Sequence, residues 1–135
     1  MSFVEVSHTA DVKIRATAPT LETLFSEAVA ALMLVLYGPD RHGGIKREIT
    51  IDAEDRESLL RDFLSEVLFI AEVDGLVFSG ANIRIDECHL MAVLDGEPFD
   101  RSRHALGTEV KGISYSGLAI THDANGYMLD IVFDV

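Results

Sequence analysis

Residues 108–134, with the sequence TEVKGISYSGLAITHDANGYMLDIVFD, decide the fold class of this chain. β-Branched and aromatic residues recur through this stretch and predict three strands. The predicted strands cover residues 108–114, 115–122 and 127–134. Asn125-Gly126, between the last two strands, is a dipeptide that favours the tight turn of a β-hairpin. The C-terminal part of the chain is therefore predicted to consist of antiparallel strands.

Two amphipathic helices are predicted upstream of this stretch. Thr20 is the expected N-cap of the first helix, which Gly38 ends. Asp55 is the expected cap of the second helix, which covers residues 57–73 and stops at Gly75. Apolar residues recur every three to four positions, as they do in helices that bury one face. These residues are Leu21, Leu24, Phe25, Ala28, Leu32 and Val35 in the first helix and Leu60, Phe63, Leu64, Val67, Leu68 and Ala71 in the second.

Further strands are predicted where apolar and polar residues alternate. They cover residues 3–6, 11–18, 45–53, 76–79, 81–86 and 88–95. Asp95-Gly96 is a second hairpin-turn signal. Two helices among eight or nine strands predict an α+β fold, in which the helices cover one face of a mainly antiparallel sheet. The length of 135 residues predicts a single domain, residues 1–135.

The composition excludes several classes of function. The chain is 48% hydrophobic, which is typical of a globular protein, and it has no apolar run long enough to span a membrane. Its net charge of −12 argues against an extended nucleic-acid-binding surface. This charge suits cations or a basic protein partner, such as a nucleic-acid enzyme, although acidity that serves only solubility is at least as common. The single cysteine, Cys88, and the lack of an export signal predict a cytoplasmic protein.

Three carboxylates near the two ends of the chain form a candidate site. Asp134 contributes one, and the α-carboxylate of Val135 contributes another if nothing follows this residue. Asp11, in the turn-like segment His8-Thr9-Ala10-Asp11, contributes the third. Carboxylates that meet in space repel one another unless a hard cation joins them, so a divalent metal site is one interpretation. The alternative is that these carboxylates are solvated surface groups.

Other charged residues have plainer explanations. Lys111 is an isolated cation within an apolar strand, where a solvated edge lysine is the ordinary interpretation. The segment Gly96-Glu97-Pro98-Phe99-Asp100 places two acids in a turn, followed by His104, but such a loop needs no function to exist. The sequence has no phosphate-binding loop, dinucleotide-binding glycine pattern, Gly-x-Ser-x-Gly motif or Cys/His zinc spacing. The residues alone therefore disfavour an enzyme.

Five segments, in order and spread over nearly the whole chain, together resemble the archease family. They are residues 8–12 (HTADV), 20–25 (TLETLF), 96–100 (GEPFD), 109–118 (EVKGISYSGL) and 131–135 (IVFDV). The usual family pattern has Ala where this chain has Gly112, and His where it has Ser116. Both departures leave the charged positions intact and bear only on the shape of that hairpin.

The resemblance implies a two-layer α/β fold and a protein cofactor that is not itself an enzyme. Archeases are similar in acting on the RtcB-type RNA ligase, which joins RNA ends bearing a 2′,3′-cyclic phosphate or 3′-phosphate to 5′-hydroxyl ends. They promote formation of the ligase–guanylate intermediate and so restore turnover in tRNA splicing and RNA repair. An older assignment for the family is a chaperone-like modulator of tRNA methyltransferases.

The resemblance also implies roles for particular residues. Asp11, Asp134 and the carboxylate of Val135 map onto a family metal site, with calcium or magnesium implied. Lys111 maps onto a lysine that the family needs for activation. The metal would either be presented to the ligase active site or only pin the C-terminal strand to the turn before Asp11. A metal-dependent hydrolase using Asp11, Asp134 and His8 is the remaining alternative.

Overall fold

The computed structural model describes residues 11–135 as six strands and three helices. In chain order the elements are β1 (Asp11–Ala18), α1 (Leu21–Tyr37), β2 (Ile45–Asp52), α2 (Arg56–Asp74), β3 (Leu76–Asp86), β4 (His89–Pro98), α3 (Arg101–His104), β5 (Gly112–Asp123) and β6 (Gly126–Asp134). The predicted strand 3–6 and His8 lie outside the described residues. The α+β fold class is confirmed, and both long helices lie where the sequence predicts them.

The described strands form two antiparallel sheets of three strands each, rather than one continuous sheet. Their strand orders are β1-β6-β5 and β2-β4-β3. Helix α1 packs against β1 and β3, and α2 packs against β2, β3 and β5, so each helix contacts both sheets. The buried apolar residues of the described chain form one cluster. Within it, Phe25 of α1 stacks on Phe63 of α2 with ring centroids 6.3 Å apart.

Local hydrogen bonds explain where the two long helices begin and end. The Thr20 hydroxyl accepts the N–H of Thr23 at 3.2 Å, and the Asp55 carboxylate accepts the N–H of Ser58 at 2.7 Å. Both caps satisfy backbone donors that have no partner within the helix. Gly75 ends α2 in the left-handed region, at φ 64°, where a side chain would be strained. These short-range interactions explain why the helix predictions are accurate to about one residue.

The predicted hairpin turn at Asp95-Gly96 is wrong, because both residues lie inside β4. The turn between β3 and β4 is at Glu87-Cys88, with Glu87 at φ 54°. Gly96 has a different reason to be glycine: a Cβ there would lie 2.5 Å from the carbonyl oxygen of Val77 on β3. The glycine therefore permits close contact between two strands and does not make a turn.

Four predicted strands join in pairs to form β3 and β5. In β3 a bulge lies between Phe78 and Gly80, where the sequence predicts a break. In β5 the register against β6 shifts between Ser114 and Ala119. The predicted β5–β6 hairpin is confirmed by the antiparallel pairing of the two strands, but its turn residues are Ala124 and Asn125, and Gly126 is the first residue of β6. No helix among residues 11–135 is long and apolar enough to cross a membrane.

Residues 108–111 are not part of a strand, contrary to the sequence prediction. The Thr108 N–H donates to the carbonyl oxygen of Val35 at 2.8 Å, and the side chain of Val110 is buried. Contacts outside the sheet therefore set the path of this segment, which joins β5 only at Gly112. Lys111 consequently lies immediately before β5 rather than within a strand.

Candidate functional site

The middle strand of the first sheet brings three distant segments of the chain together. Asp134, at the end of β6, is the register partner of Asp11 on β1 and of Gly112 on β5. The backbone N–H of Lys111 donates to the carbonyl oxygen of Asp134 at 2.6 Å. Val135 follows Asp134 directly. We call Asp11, Lys111, Asp134 and Val135 the sheet-end site, because they share one end of this sheet.

Asp11 and Asp134 lie on the outer face of the sheet. Residues that face each other across an antiparallel pair project to the same side. Phe133, next to Asp134, is buried in the core, and Asp11 and Asp134 are both exposed. Four residues along the same face, Arg15 and Asp130 form an ion pair at 2.7 Å, as facing residues on one side of a sheet can. The two site carboxylates are therefore neighbours that point toward solvent.

Gly112 leaves room for the carboxylate of Asp134. A Cβ added to Gly112 would lie 3.8 Å from Oδ2 of Asp134, which is an ordinary van der Waals contact. The carboxylate thus extends over Gly112 at the start of β5, next in sequence to Lys111. The alanine of the usual family pattern would also fit here, so this departure does not disturb the sheet-end site.

The donor atoms of the sheet-end site suit a hard cation. Among residues 11–135, the structure brings no three side chains of His, Cys, Asp or Glu together. Asp11 and Asp134 therefore supply two side-chain carboxylates, and further oxygen ligands would come from the Val135 carboxylate, water or a partner protein. An oxygen-only donor set is typical of Ca²⁺ or Mg²⁺ and not of a structural zinc site. Metal binding by these residues stays a prediction.

A second group of charged residues surrounds Glu97 at the end of β4. The Glu97 side chain, 12% exposed, receives the guanidinium of Arg103. It also accepts the backbone N–H of His42 at 2.7 Å. The hydrogen bond from Arg103 is the main reason why the pKa of Glu97 falls to about 2. Glu97 therefore stays ionised far below neutral pH and is fully used by contacts within the protein.

His104 completes this group from a buried position. Its ring is 1% exposed, and its Nδ1 accepts the backbone N–H of Asp100 at 2.8 Å. In the neutral ring Nε2 then carries the proton and can donate to Glu97 at 3.3 Å. Asp100 itself accepts the hydroxyl of Ser102 and, as the cap of α3, its backbone N–H, and these two bonds lower the pKa of the Asp100 carboxyl.

Residues of the GEPFD segment thus have structural roles that the sequence does not reveal. We call Glu97, Asp100, Arg103 and His104 the Glu97 network. Its acids and His104 are candidate residues in the sequence, but Arg103, which binds Glu97, is not. The available signal is a basic residue six positions after an acid, and it becomes informative only once α3 folds back onto β4.

A cleft of about 590 Å³ separates the Glu97 network from the sheet-end site. Tyr37 and Phe99 are its aromatic lining residues, His104 lines it from a buried position, and Glu72, Glu109 and Lys111 are its charged lining residues. Lys111 therefore belongs to both places, because its backbone is bonded to Asp134 and the residue also lines the cleft. We call this feature the aromatic cleft.

Comparisons with known proteins agree on one family. The sequence model of the Archease protein family (MTH1598/TM1083) matches residues 3–135. The archease of Methanosarcina barkeri is 37% identical over 136 residues, covering 96% of this chain and 93% of that protein. The archease of Methanopyrus kandleri is 33% identical and covers 100% of both chains.

Two solved structures share the fold. Protein 1598 of Methanobacterium thermoautotrophicum superimposes with a TM-score of 0.81 at 28% identity, and the match covers 93% of each chain. A Thermotoga maritima protein, described as an archease and possible chaperone, has a TM-score of 0.70 at 19% identity. That match covers 100% of this chain and 98% of the other, and at this identity it supports the fold alone.

Proposed function

This chain belongs to the archease family, and on that basis we propose that it activates an RtcB-type RNA ligase. In this role it promotes guanylylation of the ligase and multiple turnover, and it is not itself an enzyme. The observation that supports the proposal is the register of β1, β6 and β5. That register places Asp11 opposite Asp134 and ties Lys111 to the same strand end.

The chemistry of guanylylation suits the charges at the sheet-end site. Transfer of a guanylate group develops negative charge on phosphate oxygens, and positive charge aimed at those oxygens lowers the barrier. The Lys111 side chain is exposed, and the bond from its N–H to Asp134 fixes where it leaves the backbone. A calcium or magnesium ion held by Asp11, Asp134 and the Val135 carboxylate would supply further positive charge at the same place.

A chaperone-like role toward a tRNA methyltransferase is the second candidate. The net charge of −12 would allow contact with a basic enzyme of either kind. Recovery of the protein with its partners from native extract, followed by identification of ligase or methyltransferase, separates the two candidates.

The direct test is a guanylylation assay of the cognate ligase with and without this protein. We expect the protein to raise both the rate of ligase–guanylate formation and the number of ligation cycles for each ligase molecule. Pretreating the protein with EDTA and then restoring Ca²⁺ or Mg²⁺ tests whether the metal takes part or only holds the strand end. An equal ligase rate with and without the protein would overturn the proposed function.

A further inference from the structure

The aromatic cleft has walls of a kind suited to a flat cation. The ring centroids of Tyr37 and Phe99 lie 5.8 Å apart, and the angle between the ring planes is 56°. The ring centroids of Phe99 and His104 also lie 5.8 Å apart. Phe99 remains 45% exposed although it is a large apolar residue. Exposed aromatic surface beside a cavity is a common place for a binding partner to insert a side chain.

His104 closes one side of the cleft without offering a hydrogen bond to a ligand. Both ring nitrogens are already used, Nδ1 by the backbone of Asp100 and Nε2 by Glu97. The buried imidazole therefore has no nitrogen left for a ligand. Directional polar contacts with a ligand can come from the charged residues of the lining and from the hydroxyls of Tyr37 and Thr108.

Those charged residues are mostly acidic. Glu72 and Glu109 line the cleft together with a single cation, Lys111, and all three are exposed. Among residues 11–135, none of the three forms an ion pair with another side chain. The pKa of Tyr37 is raised by burial and, to a smaller extent, by the negative charge of Glu72, which places that carboxylate near the aromatic wall.

We propose that the aromatic cleft receives an arginine side chain from the surface of the partner protein. A guanidinium can stack on the rings of Tyr37 and Phe99 and donate to the carboxylates of Glu72 and Glu109. Two carboxylates against one ammonium favour a cation over a phosphate in the same space. The net charge of −12 likewise favours a basic partner surface. This inference rests on the proposed function, since it adds a docking contact beside Lys111.

A titration independent of the ligase tests the ligand chemistry. N-acetyl-L-arginine amide is added to ¹⁵N-labelled protein, with N-acetyl-L-citrulline amide as a neutral control of the same shape. We expect saturable shifts of the Tyr37, Phe99 and Glu109 amide signals with arginine, and at least tenfold weaker ones with citrulline. Equal responses to the two compounds, or no response to either, would overturn the inference. So would stronger binding of guanosine monophosphate at these same signals.

A second experiment asks whether the contact is used with the ligase. The double variant Glu72→Gln/Glu109→Gln should raise the concentration of activator needed for half-maximal guanylylation by roughly tenfold, with the maximal rate kept, because it weakens docking and not chemistry. Glu48→Gln/Glu54→Gln removes the same charge outside the cleft and should leave that concentration near wild type. Equal half-maximal concentrations for the two variants would refute the docking role. A ligase that ignores the wild-type protein refutes the proposed function instead.

Discussion

Two facing pairs on the outer side of β1 and β6 differ in charge. Midway along the strands, Arg15 faces Asp130, and their ion pair at 2.7 Å neutralises both charges. At the end of the strands, Asp11 faces Asp134, so two carboxylates are neighbours. Facing residues of opposite charge stabilise a sheet, and like charges destabilise it. The first pair is explained by folding, whereas the second pair has no ion-pair partner among residues 11–135.

The Glu97 network extends the same contrast. Its carboxylates are bonded to Arg103, to backbone N–H groups and to His104, and so they serve the fold. The exposed charges of the sheet-end site form no ion pair with other side chains among residues 11–135. Substitutions should therefore separate the two groups. Changes in the Glu97 network should alter stability, and changes in the sheet-end site should alter metal binding and ligase activation.

The largest effect is expected from Lys111→Ala. Loss of one positive group near developing phosphate charge should reduce ligase guanylylation on the order of 100-fold. Stability should change by less than about 0.5 kcal/mol, because the side chain is exposed. The matched control is Lys13→Ala, which removes an exposed lysine from β1. This variant should activate the ligase as well as the wild type does. Lys111→Arg should rescue only in part, since a planar fork differs from a compact ammonium. Normal activation by a folded Lys111→Ala protein would remove this residue from the mechanism.

The second prediction concerns calcium and the melting temperature. A Ca²⁺ concentration of 100 times the dissociation constant should stabilise the wild type by about 2.7 kcal/mol. Asp11→Asn and Asp134→Asn should lose most of this rise, whereas Asp130→Asn should keep it. In EDTA, without bound metal, the two site variants should be more stable than the wild type. Removing one of two like charges from Asp11 and Asp134 should then stabilise the protein by about 0.2–1 kcal/mol.

Calorimetry or thermal denaturation followed by circular dichroism measures both parts of this prediction. A full calcium response in both site variants would show that the two carboxylates are not ligands. A loss of the response in Asp130→Asn as well would show instead that the effect comes from general surface charge.

A smaller effect is expected from residues added after Val135. Such an extension replaces the α-carboxylate by an amide carbonyl, removes one negative charge and adds bulk at the sheet-end site. Weaker calcium affinity by isothermal titration and reduced ligase activation should follow, with the far-ultraviolet spectrum unchanged. The same residues inserted at Asn125 in the β5–β6 turn provide a control of equal length. An extended protein with wild-type affinity and activation would show that the terminal carboxylate is not a ligand.

The smallest effect belongs to the Glu97 network and appears only in acid. The folded-state pKa of Glu97 is lowered from 4.5 to about 2, so its ionised form stabilises the protein at every pH above about 4.5. That contribution is lost as the pH falls from about 4.5 to 2. Glu97→Gln should flatten this part of a plot of stability against pH. Ligase activation at neutral pH should remain, because Glu97 contacts no residue of the sheet-end site. An unchanged acid profile in the variant would show that other carboxyl groups dominate the loss.

Local features could be predicted from the sequence, and features that depend on distant contacts could not. The caps at Thr20 and Asp55 act within three residues, so the positions of α1 and α2 were accessible. Gly96 matches a turn pattern in the sequence, but its actual constraint is the backbone of Val77 on another strand. The division of the strands into two sheets cannot be predicted from the sequence pattern of any single segment.

The candidate site shows the same division. The sequence, and the family it resembles, indicate Asp11, Asp134 and Lys111 as residues of interest. Their arrangement follows from the pairing of β6 with β1 and β5, which only the fold determines. The Glu97 network remained hidden because Arg103 reaches Glu97 only after α3 turns the chain back. The aromatic cleft joins residues from α1, α2 and the segment between β4 and β5, and no spacing predicts it.

The position of β6 between β1 and β5 has a consequence for the kinetics of folding. Arg15 and Asp130 are 115 residues apart, whereas the β3–β4 hairpin closes across two residues. Bringing distant segments together costs more loop entropy, so the docking of β1 onto β6 should be a late step. In pulsed hydrogen exchange, the amides of β1 should gain protection after those of β3 and β4. Asp11 would then meet Asp134 only in molecules that have finished folding, so any site that needs both carboxylates would be absent from a partly folded chain.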